Sequence, residues 1–109
     1  MEPRVILYQL KDEGISVTVV VYFLDGALVV EGYDIGKRVE EYWGDSDYEY
    51  STTISSAAIP LLCSSLNISN DPEVLLNTLS SRFGGNTGYS AFLKFLEEHE
   101  VPSQSQSWA

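Results

Sequence analysis

Two apolar runs joined by Asp25-Gly26 constrain the fold of this chain more than any other feature. Ile15 to Leu24 is rich in β-branched residues on both of its faces, which is typical of a central strand in a sheet. Asp-Gly between two such runs is the strongest short-range signal for a β-hairpin. In the return strand, Ala27 to Tyr33, Leu28 and Val30 face one way while Val29 and Glu31 face the other.

Two further segments extend the predicted sheet. Arg4 to Leu10 is rich in strand-forming residues, and Lys11 to Gly14 closes it as a turn. Asp47 to Ile54 alternates, so Tyr48, Tyr50 and Thr52 are expected on one face. Gly32 and Gly36 interrupt the pattern around Asp34 to Gly44, in which Val39 to Trp43 could form a short helical turn or part of a loop. The first half of the chain therefore predicts an antiparallel sheet of about four strands.

From Ser55 onward the pattern changes to that of helices. Ala57 to Leu66 carries an apolar stripe, with Ser55 or Ser56 as the expected N-cap. Asp71-Pro72-Glu73 is a strong helix start, and Gly84-Gly85 ends the helix that follows. A last helix is predicted from Gly88 to His99, with Thr87 as its candidate N-cap.

The order of elements, strands and then helices, predicts an α+β fold. About three C-terminal helices are expected to cover one face of the sheet. We predict one domain over residues 1–101, because 109 residues suit a single core. Residues 102–109 are predicted to form a flexible C-terminal tail.

The charge balance limits the classes of partner. With 16 acidic and 6 basic residues, the net charge is −10. This argues against binding to nucleic acid, which needs clustered Lys and Arg, and against binding to an anionic membrane surface. A basic protein or a metal cation is the natural complement. Solubility alone is the plainer explanation of the same charge.

The N-terminus and the cysteine count bear on location. Cys63 is the single cysteine, so no disulfide can form within the chain, and a reducing compartment is favoured. The start MEPRVILYQL lacks a signal-peptide pattern. The longest apolar run, Val17 to Leu24, is far shorter than the roughly 20 residues of a membrane span. The expected location is the cytoplasm.

Residues 31–50 concentrate acidic and aromatic side chains, and we call them the acidic-aromatic segment. They hold seven of the sixteen carboxylates together with Tyr42 and Trp43. Carboxylates attract Lys and Arg, and Tyr and Trp give rigid contact area. The segment predicts a surface that binds a basic protein partner. The predicted partner-binding residues are Glu31, Asp34, Glu40, Glu41, Tyr42, Trp43, Asp45, Asp47 and Glu49.

Metal binding is an alternative for part of this segment. Asp45, Asp47 and Glu49 are spaced by two, which on a strand brings three carboxylates to one face, as a hard divalent cation would need. The spacing lacks the glycine and distal glutamate of a calcium loop. A solvated acidic strand edge is the simpler explanation of the row, and we favour it. We predict no metal site and no cofactor.

Enzyme and structural roles are further alternatives. Glu31 with Asp34, or Glu40 with Glu41, could act as acid and base, but this chemistry needs a cleft that so small a domain hardly provides. We predict no catalytic residue. A third interpretation is an oligomerisation subunit, in which Val17 to Leu24 would pair across a dimer if it formed a sheet edge.

Three stretches carry a resemblance to known proteins: DIGKRVEEYWGDSDYEY, DPEVLLNTLSSRFGGN and KFLEEHEVP. The chain resembles a group of small bacterial proteins with a D-[LI]-G core followed by W-G-D-x-D-Y-E-Y. In size, acidity and order of elements it is also similar to immunity proteins of bacterial toxin systems. That similarity implies a small cytoplasmic protein that binds and neutralises a toxin, often a basic nuclease. It implies no catalytic residues.

Overall fold

Five antiparallel strands and three helices make up residues 4–12, 15–36, 47–85 and 87–108, the part of the chain that the computed structural model describes. The predicted α+β class is confirmed, with one strand more than the sequence indicated. The elements are β1 Val5–Asp12, β2 Ile15–Leu24, β3 Ala27–Gly36, β4 Asp47–Ile54, α1 Ile59–Leu66, α2 Pro72–Arg82, α3 Gly88–Glu98 and β5 Gln104–Trp108.

The strands lie in the sheet in the order in which they occur in the chain, from β1 to β5. Strands β1 to β4 form a meander, and β5 returns after the helices to pair with β4. Val21 of β2 pairs with Val5 on one side and Val30 on the other. β2 lies between β1 and β3 and is not an edge strand, so the condition under which Val17 to Leu24 would pair across a dimer is not met.

The turn between β2 and β3 confirms the predicted hairpin. Leu24 pairs with Ala27, and the two residues between them both have positive φ, 51° at Asp25 and 84° at Gly26. This backbone matches the right-handed twist of the flanking strands, and Asp-Gly adopts it at low cost. The turn fixes the register of β2 on β3, and so decides which face every side chain of both strands occupies.

The hydrophobic core lies between the helices and one face of the sheet. From the sheet, alternate residues such as Val21, Leu28 and Ile54 are fully buried. From the helices, Leu62, Leu75 and Phe92 meet them. Burial of a side chain of this size stabilises the fold by about 1.5–3 kcal/mol. The prediction that the helices cover one face of the sheet is confirmed.

For the first two helices, the structure confirms one of the two predicted N-caps. Asp71 caps α2 as expected, because its carboxylate accepts hydrogen bonds from the amides of Glu73 (2.9 Å) and Val74 (3.2 Å). Neither Ser55 nor Ser56 caps α1, whose N-cap is Ala58 without a side-chain bond. The helix begins at Ile59 since Pro60 fits only in the first turn, where its missing N–H has no partner to lose.

The end of α3 explains a strand that the sequence analysis missed. Glu100 has a positive φ of 55°, and the amide of Val101 donates to the carbonyl of Leu96 (2.9 Å) while Val101 itself is buried. This Schellman turn directs the chain back to the sheet. Gln104–Trp108 then pairs with β4, so the predicted flexible tail is instead a strand over these five residues.

One buried hydroxyl joins β4, β5 and α3. Thr52 is fully buried, and its Oγ1 lies 2.7 Å from the Tyr89 hydroxyl and 2.9 Å from the Ser105 hydroxyl. A buried polar group is costly unless it is hydrogen-bonded, and here three hydroxyls satisfy one another.

We predict that Thr52→Val destabilises the fold by about 1–3 kcal/mol, because it leaves the Tyr89 and Ser105 hydroxyls without this partner. Urea denaturation measures the loss. Thr53→Val, at the neighbouring and partly exposed position, is the matched control and should cost less. Equal effects of the two substitutions would show that the hydroxyl contributes nothing specific.

Candidate partner-binding surface

The side of the sheet that faces away from the helices is solvent-accessible, and we call it the open face. Alternation places on it the residues between the core positions, because successive side chains of a strand point to opposite faces. No described helix packs on this side. Its side chains include Arg4, Ile6, Thr18, Val20, Tyr22, Glu31, Tyr33, Glu49, Ser51 and Thr53, together with Val29, which neighbouring side chains bury.

A shallow groove of about 350 Å³ crosses the open face over β2, β3 and β4. Two predicted binding residues, Glu31 and Glu49, lie in it. Glu31 pairs with Ser51 and Glu49 pairs with Tyr33, so the two carboxylates are diagonal neighbours across strands. Such neighbours come within about 7–8 Å, close enough for one cationic group to meet both. The groove is lined by Arg4, Thr18, Val20, Glu31, Gly32, Tyr33, Glu49 and Tyr50.

The surroundings of Arg4 show which kind of side chain the groove can bind. Its Nη1 lies 3.3 Å from Glu31 Oε1, and its guanidinium carbon lies 4.2 Å from the centre of the Tyr22 ring. Solvent reaches both partners of the ion pair, since the Arg4 side chain is 61% exposed and that of Glu31 37%, so the pair stabilises the fold by at most about 1 kcal/mol. The guanidinium is thus held weakly, on a carboxylate and an aromatic face, at one end of the groove.

The charge of Glu31 also affects the pKa of the Tyr22 hydroxyl. Desolvation raises the pKa of the Tyr22 hydroxyl, and the negative charge of Glu31 and a hydrogen bond to it act in the same direction, against the opposing effect of Arg4. The hydroxyl of Tyr22 therefore stays protonated and can donate to the carboxylate. Sequence reasoning missed Arg4 and Tyr22, because only the register of β1 and β3 on β2 brings them to Glu31.

Asp34, a third predicted binding residue, lies on the other face of β3. It pairs with Val17 and Tyr48 on the helix side, and its Oδ1 accepts a hydrogen bond of 3.1 Å from the Tyr50 hydroxyl. Because Glu31 and Asp34 are three residues apart on one strand, they face opposite ways. They cannot act on one substrate as acid and base, and Asp34 cannot share a contact surface with Glu31.

Half-burial changes the ionisation of both partners of this hydrogen bond. Desolvation raises the pKa of the Asp34 carboxyl above its usual 3.8, and the hydrogen bond from Tyr50 opposes the shift only in part. The pKa of Tyr50 is raised strongly, first by burial and then by the charge of Asp34. Tyr50 is therefore a neutral phenol that donates the hydrogen bond, and Asp34 is a carboxylate whose desolvation costs free energy.

Gly32 gives Tyr50 room to reach Asp34. The Tyr50 ring lies over Gly32, its partner across the strands, where a Cβ would collide with ring carbons. The ring also packs edge-on against Tyr89 at 4.8 Å and lies 5.7 Å from Tyr48. An aromatic ring that covers a strand glycine protects the ladder beneath it. This explains why β3 continues to Gly36 where the glycines predicted an interruption.

The remaining predicted binding residues are only partly placed. Glu40, Glu41, Tyr42, Trp43 and Asp45 lie outside the described residues. Asp47 begins β4 opposite Ile35, and its side chain also lies outside the described part. Within the described ranges no three His, Cys, Asp or Glu side chains are close enough to hold a metal ion, but the Asp45–Asp47–Glu49 row is not covered by that finding.

Cysteine and histidine are the residue types that nucleophilic catalysis commonly uses, and the single cysteine and the single histidine of this chain both have structural surroundings. Cys63 is 1% exposed in the core face of α1, and burial raises the pKa of its thiol. A protonated, buried thiol is a poor nucleophile. His99 follows α3 with its ring 4.2 Å from that of Phe95, on the side of the sheet opposite the groove.

Comparisons of the chain with protein-family models, with curated proteins and with solved structures find no match. The resemblance to immunity proteins therefore stays a prediction. Among the described residues the longest helices, α2 and α3, have 11 residues each, and none could cross a bilayer.

We predict that Asp34→Asn stabilises the fold near neutral pH by less than about 1 kcal/mol, since solvent still reaches this half-buried carboxylate. A raised pKa means that the folded state holds the proton more tightly than the unfolded state. Asp34 therefore lowers stability as pH rises through its folded pKa, and the gain in the variant should vanish below about pH 3.8.

Thermal unfolding of the wild type and Asp34→Asn across this pH range measures the difference. The amide oxygen can still accept the bond from Tyr50, so the hydrogen bond is kept. Asp25→Asn is the matched control, because it removes an exposed carboxylate at a turn position where Asn tolerates positive φ. A gain that persists at acid pH would contradict the desolvation argument.

We further predict that Gly32→Ala costs about 1–3 kcal/mol, because the new methyl group displaces the Tyr50 ring. The cost should largely disappear when Tyr50 is changed to Ser, which removes the ring. A double-mutant cycle by denaturation measures this coupling. Additive effects of the two substitutions would show that the ring and the glycine are independent.

Proposed function

We propose that this chain is a non-enzymatic protein-binding domain of the immunity type, which recognises a basic protein through the open face. The observation that carries the proposal is the groove with Glu31 and Glu49, in which one weakly held arginine already sits against a carboxylate and a tyrosine ring. The net charge of −10 supports the same sign of partner.

Charge and shape would act at different stages of binding. A strongly acidic protein attracts a basic partner over long range and raises the association rate. On contact, a Lys or Arg of the partner pairs with Glu49 and competes with Arg4 for Glu31. Tyr22 and Tyr33 lie beside these carboxylates and supply amphipathic contact area, as tyrosine commonly does at interfaces.

The residues of the acidic-aromatic segment have different roles in this proposal. Glu31 and Glu49 lie on the open face, while Asp34 supports it from behind by holding Tyr50 against β3. Glu40, Glu41 and Asp45, together with Tyr42 and Trp43, follow β3 in the sequence and remain part of the proposed binding set. If the partner is a nuclease, these carboxylates take the place of nucleic-acid phosphates. A chain without a disulfide suits the cytoplasm.

We predict that penta-arginine binds the groove and that the double variant Glu31→Gln/Glu49→Gln weakens this binding by about tenfold, because two partly desolvated charge contacts are lost. Isothermal calorimetry measures the affinity, and amide chemical shifts in β3 and β4 locate the peptide. Raising the salt concentration should weaken the wild-type complex.

Glu97→Gln/Glu98→Gln is the matched control, since it removes the same charge from the exposed end of α3 on the helix side. Equal loss of affinity in both double variants would show that the peptide responds to net charge alone. Absence of shifts in β3 and β4 would contradict the groove as the site.

A further inference from the structure

The two edges of the sheet are built differently. β1 and β5 each have one neighbour within the sheet, so each presents a row of backbone groups on its outer side. Such an edge is a template for another strand, and proteins usually block it with charges, proline, bulges or a covering segment. Whether each edge is blocked can be read from its residues.

The β1 edge is blocked in three ways. Its register shifts at a bulge between Ile6 and Tyr8. The amide of Gly85 donates to the carbonyl of Leu7 at 3.1 Å, and α2 packs against the strand. Lys11 places a charge on the exposed part of the strand. A second chain cannot extend the sheet here without breaking these features.

Among the residues that the structure describes, none gives the β5 edge these protections. Gln104–Trp108 contains no charged residue and no proline, in a chain whose net charge is −10. Its pairing with β4 runs without a bulge from Thr53 opposite Gln104 to Glu49 opposite Trp108. The side chains of residues 104–107 are all exposed.

The strand is also anchored to the core. Val101, three residues before the strand, is buried, and the Ser105 hydroxyl is 2.9 Å from that of the buried Thr52. A second strand that pairs with β5 would therefore find its backbone already extended, with little ordering entropy left to lose.

We propose that β5 is a homodimerisation edge, which pairs antiparallel with β5 of a second copy of this chain. An antiparallel pair is symmetric about a two-fold axis, so one strand can serve both partners. With the axis at Gln106, the centre of the strand, glutamine meets glutamine and Ser105 meets Ser107. These neutral pairs can hydrogen-bond, whereas two copies brought together through their acidic surfaces repel each other.

The contact area between the two β5 strands is small, and this limits the affinity of the dimer. A pair of five-residue strands buries less area than the roughly 1,200 Å² of stable complexes. The dimer is therefore expected to be weak and in exchange with the monomer between micromolar and millimolar concentration. Because the facing strands are neutral and the chains as a whole repel, added salt should tighten the dimer. Binding of a basic partner to the groove responds to salt in the opposite way, so the two proposals can fail separately.

Sedimentation equilibrium of the full chain tests the proposal. The average mass should rise with concentration from the 12.1 kDa of one chain toward twice that value, and more steeply in high salt. The double variant Gln104→Glu/Gln106→Glu should weaken association by at least about tenfold, because like charges then face each other across the two-fold axis.

Two control variants each place one such added charge at another exposed position. Gln9→Glu lies on the β1 edge and Asn77→Glu lies on α2, and neither should alter the dimer beyond the effect of one added charge. A wild type that remains monomeric at millimolar concentration would overturn the proposal. So would a dimer that Gln9→Glu disrupts and the β5 variant leaves intact.

Discussion

Burial of one face of β2, β3 and β4 under three helices governs the rest of this structure. Val21, Leu28 and Ile54 are inaccessible on that face, so the residues between them are held outward. A slip of one residue in β3 would bring Glu31 into the core and Val30 into solvent. The hydrophobic requirement on one side thus places the carboxylates on the other. It also separates Glu31 from Asp34, which crowd together in the sequence and face opposite ways in the fold.

The features that the sequence predicts well are those with a local cause. Asp25-Gly26 fixes its hairpin through its own backbone preference, and Asp71 caps a helix whose free amides lie two and three residues away. The alternation around Thr52 places Tyr48 and Tyr50 on the helix side without knowledge of the helices. In each case the residues that decide the structure are within a few positions of one another.

The features that the sequence did not predict depend on distant partners. In the sequence Gly32 predicts an interruption of β3, but in the fold the Tyr50 ring from β4 covers it. In the sequence Gln104–Trp108 resembles a mobile tail, because Ser and Gln have no strong strand preference. In the fold it is a strand, because it pairs with β4 and Ser105 hydrogen-bonds to Thr52. Arg4 meets Glu31 only through the register of two strand pairs. The candidate groove is of this kind, since its walls come from three strands and from Arg4.

The groove and the β5 edge belong to one sheet, and this links the two proposals. A two-fold axis through Gln106, perpendicular to the sheet, keeps both open faces on the same side of a continuous ten-stranded sheet. Glu49 lies on β4, the strand next to β5, and Glu31 lies on β3, one strand further from the axis, so the two grooves lie on either side of it. A partner with two basic patches could then occupy both grooves at once, and the second contact would form at high effective concentration. Weak pairing at β5 is enough for this, because the partner that bridges two copies also stabilises their association by mass action.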